Sequence, residues 1–258
     1  MNPSVLVPAM SVGLFLGMLA CLELGYRIGC RAEARDGSAH EGLGAIEAAI
    51  FALLGLLLGF AFAGAVSRLD ARRQLIVQEA NAIGTAYLRL DVLPPSDQPE
   101  LRRLFREYLE ARFRAYEGVA DLKTVDPFIA QAAQLQQQIW ARAIAAGHLD
   151  QTQNTTRVAL PAINEMIDVT TARTVAARTR LPGLVLVLLL VVALLSAVTA
   201  GYAMAKRKRR SVLHVVLYAA AVATTVYVVL DLDNPRVGLI RLDATERILH
   251  DLHDSIRQ

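Results

Sequence analysis

"LLGLLLGFAFAGAVSRLDARRQ" (residues 53–74) passes from an unbroken apolar run to a strongly basic one with no proline at the change. A chain that changes its preferred solvent without changing its backbone pattern is read as one helix that leaves a bilayer and continues beyond it. Outward from this stretch the same contrast recurs. A spanning helix needs roughly 20 mostly apolar residues, and residues 3–24, 44–66, 182–204 and 211–230 supply them. Of the 258 residues 54% are hydrophobic, yet 20% are charged, so the two populations are segregated along the chain.

The charged part is 67–181, a Gln-rich stretch punctuated by Pro94, Pro95, Pro99, Pro127 and Pro161. Past Arg68 the pattern becomes heptad-like: Leu69, Ile76, Ile83 and Leu90 recur, with Ala80 and Tyr87 at intermediate positions. That spacing predicts a helix packed on one side. From 44 to 92 it would be about 70 Å long at 1.5 Å per residue, more than twice the hydrocarbon thickness. Tandem prolines in "LPPSDQPE" (93–100) end it. Helices over 98–117 and 127–147 follow, and 157–181 is expected to run helically into the third span, with Pro182 starting or kinking it.

The predicted fold class is therefore an all-α membrane protein, with four transmembrane helices, long helical extensions and a helical soluble domain. The expected organisation is 1–66 (transmembrane helices 1 and 2), 67–181 (soluble domain), 182–230 (helices 3 and 4) and 231–258, a tail packing on the soluble domain. The first apolar stretch lacks a basic leader, is too long for a signal core and carries Glu23, so a retained helix is expected. Cys21 and Cys30 have neither redox nor metal spacing. With a net charge of +3 and basic residues dispersed except in "KRKRR" (206–210), no nucleic-acid partner is expected.

No acid or base occupies the middle of any span, whereas coupled transporters need such groups. Gly55, Gly59 and Ala63 form a small-residue series that lets helices approach closely. Ala52, Leu56 and Phe60, four residues apart, share a stripe that is either core packing or the wall of a narrow apolar pore, closed by dewetting. "HDLHD" (250–254) has the spacing to offer His250 and His253 to a metal, although a solvated tail helix explains it better. No metal or cofactor is expected. Nucleophile elbows, phosphate-binding glycine loops and HExxH are absent, so a non-enzyme is expected.

"LLGFAFAGAVSRLDARRQ" resembles the second-helix signature of bacterial bestrophins, in which an L-G-F triplet precedes, by eight residues, an Arg that opens a charged extension; here these are Gly59, Phe60 and Arg68. "LDNPRVGLIRLDATERIL" (232–249) is similar to the segment that follows the fourth helix in that family. The chain most resembles a bacterial family of bestrophin-like membrane proteins, with "RRQLIVQEANAIGTAYLRLDVLP" as the most specific stretch.

The resemblance implies a homo-oligomeric, pentameric, anion-selective channel whose second helices surround the pore. Its neck would fall on Ala52, Leu56 and Phe60. Arg68, Arg72 and Arg73 would attract anions just past the neck, or anchor to lipid phosphate. The implied partners are other copies of the chain, the bilayer and inorganic anions such as chloride, in a bacterial inner membrane. Leu69 and Asp70 replace the family's tryptophans, Arg236 replaces a Phe, and the acidic calcium clasp is missing, so calcium gating is not implied. Bestrophin topology puts the soluble domain in the cytoplasm, while "KRKRR" with Arg27, Arg31 and Arg35 argues the reverse by the positive-inside rule; the cytoplasmic placement is the expectation. The alternative class is a membrane-anchored helical sensor or scaffold acting through a partner protein.

Overall fold

The computed structural model describes residues 3–35, 44–117, 122–150, 152–205, 211–235, 238–240 and 243–257. "KRKRR", Arg236, Arg241 and the side chain of His250 lie outside what is described. Among the described residues there are helices and no strands: α1 (Pro3–Arg35), α2 (Gly44–Leu88), α3 (Gln98–Glu117), α4 (Leu122–Leu149), α5 (Leu160–Arg178), α6 (Gly183–Ala205), α7 (Val212–Leu232) and α8 (Asp243–Arg257). Four helical stretches, those containing α1, α2, α6 and α7, are long and apolar enough to cross a membrane. The chain is an all-α membrane protein, as its hydropathy predicts.

Two compact units are formed: Met1–Leu69 with Arg180–Leu239, and Asp70–Thr179 with Ile240–Gln258. Sequence reading placed the corresponding divisions at 66/67 and 181/182. It kept the tail in one piece, whereas residues 231–239 join the first unit and α8 the second.

In the first unit α1 and α6 touch at the backbone. A Cβ on Gly25 would lie 2.0 Å from the Val198 carbonyl oxygen, and one on Gly201 would lie 2.0 Å from that of Leu22. Each helix thus offers a glycine to the other's main chain, an approach that a residue with a Cβ would block. Small residues recur every four on both helices, Gly17, Cys21, Gly25 and Gly29 on α1 and Ala193, Ala197, Gly201 and Ala205 on α6, and a Cβ on Gly29 would meet Tyr202 and Ala205. On α7, Val215, Ala219, Val222, Ala223 and Val226 are buried. Tyr218 shares a 2.6 Å hydrogen bond with Ser196 and meets the Phe51 ring edge-on, joining α2 to this unit.

The second unit is built on the packed side of α2. Ile76 and Ile83 are buried there, with Leu101, Phe105, Tyr108 and Leu109 of α3, Ile139 of α4, and Ile163 and Met166 of α5. The Tyr108 hydroxyl is hydrogen-bonded to Thr170 Oγ1 (2.9 Å) and accepts from Gln136 (3.1 Å). Burial pushes this phenol above its ordinary range. On the tail helix, Leu249 and Ile256 are buried, the His253 ring stacks on Phe113, and His253 Nε2 lies 2.9 Å from Glu110 Oε2.

One expectation changes. Residues 157–181 do not run helically into the third span, because α5 ends at Arg178, Thr179 is extended (φ −72°, ψ 122°) and α6 begins at Gly183. Pro182 disfavours helical backbone at Leu181. The Leu181 N–H, released from a helix ladder, donates to Asp233 Oδ2 at 2.9 Å.

Candidate functional site

The membrane part of α2 has two unlike sides. Leu54, Ala61, Ala65 and Leu69 are buried. On the other side Leu56 is 54% and Phe60 66% exposed, and Ala52, Gly55, Gly59 and Ala63 are exposed with them. A Cβ built on Gly55 or Gly59 meets nothing within 4 Å. Among the described residues, therefore, the stripe is not part of the core and the small-residue series packs against no helix.

The exposed side extends further than the four-residue spacing indicated. Leu56, Ala63, Asp70 and Val77 recur every seven residues, as do Phe60, Ser67, Gln74 and Asn81, and all eight are exposed. A seven-residue step advances almost two full turns, so these positions hold one side of α2. The stripe is apolar in its first part and polar later. Sequence reading stopped at Phe60 because only the i, i+4, i+8 series was followed; the alternation of three and four was the available signal.

The three arginines have unlike surroundings, and the structure does not gather them into one cluster. Arg68 forms a two-pronged bond with Asp233, Nε to Oδ1 at 2.7 Å and Nη2 to Oδ2 at 3.0 Å. The same buried carboxylate accepts the Leu181 N–H, so one aspartate ties α2 to the ends of α6 and α7. Arg72 is buried, donating from Nε to the Ala176 carbonyl (3.1 Å) and from Nη2 to that of Thr179 (2.6 Å). It thereby satisfies acceptors at the carboxyl end of α5, where the helix dipole favours a cation. Arg73 is half-exposed and pairs with Asp70 at 3.2 Å.

Two further carboxylates organise the structure. Asp231 accepts the Leu239 N–H with both oxygens at 3.0 Å, and a Cβ on Gly238 would lie 2.3 Å from its Oδ1. A side chain there would displace the Asp231 carboxylate from its bond to Leu239. Glu79, fully buried in the second unit, takes Arg112 on Oε1 (2.6 Å) and Arg173 on Oε2. Sequence reading gave no role to Asp231, Asp233 or Glu79, although Asp233 sits in the quoted tail segment.

A family description, the Bestrophin-like domain, matches residues 9–246. No curated protein matches the chain. Among solved structures, the crystal structure of a bacterial bestrophin homologue from Klebsiella pneumoniae, carrying a tyrosine-to-alanine mutation, is similar with a TM-score of 0.62. That likeness covers 93% of this chain and 98% of that one at 13% identity, so it is a likeness of fold.

Proposed function

Because the chain belongs to the bestrophin-like family, we propose that it is a homo-oligomeric, pentameric ion channel selective for anions such as chloride. In this reading α2 of each copy lines the pore, and Ala52, Leu56 and Phe60 form its apolar neck. The observation that supports it is a difference between two exposed faces. On α6 the exposed residues include Leu184, Val187, Leu188, Val191 and Leu195, the bulky set that lipid tails accept. On α2 the small residues Ala52, Gly55, Gly59 and Ala63 are exposed among large ones, Leu53, Leu56, Phe60 and Phe62. Lipid gives no reason for glycine, whereas close helix approach does. Gly55, Gly59 and Ala63 then let neighbouring copies of α2 come together, and Leu56 and Phe60 project where the copies leave a gap. An apolar constriction of this kind impedes ions by losing its water.

Arg72 and Arg73 supply positive potential beyond the neck, Arg72 from a fixed, hydrogen-bonded position and Arg73 from the exposed face, while the charge of Arg68 is balanced by Asp233. The channel resides in a bacterial inner membrane with residues 67–181 on the cytoplasmic side.

The test is purified protein in planar bilayers under a salt gradient. Current reversing toward the chloride equilibrium potential is expected. Silence, or reversal toward the cation potential, overturns the reading.

A further inference from the structure

We propose that Asp70 limits how strongly this channel favours anions, with Arg73 as its counterweight; this rests on the reading of α2 as pore-lining. Along the exposed side of α2, the residues after Phe60 are Ala63 and Ser67, and the next is Asp70. The intervening Arg68 is turned to Asp233 and held there by two bonds. Asp70 is thus the first ionisable side chain on that side beyond the neck, about 15 Å along the helix from Phe60. It occupies the heptad position of Leu56 and Ala63, where the resemblance would have led one to expect an aromatic residue.

Its partner is placed differently. Arg73 follows by three residues, about 60° around the helix, and reaches back to the carboxylate at 3.2 Å. The carboxylate therefore stands on the stripe and the guanidinium beside it. Both side chains are about half exposed, 54% for Asp70 and 44% for Arg73. Such a pair contributes little to stability, so its charges remain available to passing ions. Beyond it the stripe carries Gln74, Val77 and Asn81, which have no charge, and Glu79 and Arg72 are buried on the packed side.

Repeated in each copy around an axis, Asp70 becomes a ring of carboxylates flanked by a ring of guanidiniums. At a distance the two rings cancel. Close to the axis the carboxylates come first, repelling chloride and concentrating sodium, because charge in a narrow low-dielectric passage acts on local ion concentration. The net anion preference is the difference between these rings and the field of the remaining arginines.

The experiment measures chloride-to-sodium permeability ratios of the full-length oligomer in planar bilayers, for the wild type, Asp70→Asn and Arg73→Gln. Asp70→Asn should raise the ratio about threefold or more at low salt, Arg73→Gln should lower it, and both shifts should shrink at 1 M salt, where the Debye length falls to about 3 Å. In Asp70→Cys, a negatively charged thiol reagent should restore the wild-type ratio and a positively charged one should raise it further. A conducting wild type with ratios unmoved by these changes overturns the inference and leaves the channel reading intact. Loss of assembly in Asp70→Asn overturns it too, by making Asp70 a structural residue. A wild type that carries no current overturns both.

Discussion

Asp233, 3% exposed, accepts two hydrogen bonds from Arg68 and one from the Leu181 N–H among its contacts. Removing one member of such a set strands the others in a poorly hydrated place. Asp233→Ala should therefore destabilise the protein by about 3–5 kcal/mol, read as a lower apparent Tm in detergent, and Arg68→Lys should fall part of the way because an ammonium cannot form the fork. An unchanged Tm for Asp233→Ala would show the pair to be dispensable. At Glu110, partial burial raises the carboxyl, but the bonds from Arg114 and His253 outweigh it and hold the group below its ordinary 4.5. A carboxyl with a depressed folded value stabilises the native state above its unfolded value and loses that contribution as pH falls through the folded one. The protection factors of α8 amides in hydrogen exchange, which are free of the intrinsic pH dependence of exchange, should thus fall as pH drops below about 4.5. The fall should be smaller in Glu110→Gln, which has no carboxyl to titrate.

At the scale of elements, the α1–α6 crossing and the two-sided α2 make separate demands. Gly201→Val would drive a side chain into the Leu22 carbonyl, so it should cost stability and yield. Gly13→Ala, whose Cβ meets nothing within 4 Å, should be nearly silent. Equal effects would show that the crossing is not the tight one described. On α2, Leu56 and Phe60 are more than half exposed, so the double change to Ala opens no cavity inside the chain. An intact oligomer with larger current is expected, since the apolar barrier is removed. Unchanged current from intact oligomers would rule out a rate-limiting neck at these positions.

For the whole molecule, the proposed pentamer has a protein mass of about 140 kDa, five times the 28.0 kDa chain. Native mass spectrometry in detergent checks it, and a monomer or dimer would leave no central pore and favour the anchored sensor or scaffold. The proposed topology puts residues 36–43, between the first and second spans, across the membrane from residues 67–181. A membrane-impermeant thiol reagent should then reach an added cysteine at Ser38 from the periplasm of intact cells.

Hydropathy and periodicity are local properties of a chain, and by themselves they determined the four spans, the unbroken passage of α2 from apolar to charged surroundings, and the packed heptads Leu69, Ile76, Ile83 and Leu90, all buried. The Gly59-Phe60-Arg68 signature likewise needed nothing but sequence. Which side of a helix is covered, and by what, depends on partners remote along the chain, and only the tertiary structure decided it. Arg68 is the case in point: as one basic residue among several beyond an apolar run it reads as a free charge, until a carboxylate 165 positions later proves to hold it. The small residues that bring helices together within the chain are Gly25 and Gly201 rather than Gly55 and Gly59. All four sit in similar apolar runs, and composition cannot tell a glycine that meets a backbone from one that meets nothing. The interruption before the third span divides between the two: Pro182, which disfavours helical backbone at Leu181, is legible in the sequence, whereas the acceptor of the freed Leu181 N–H, Asp233, is visible only in the fold.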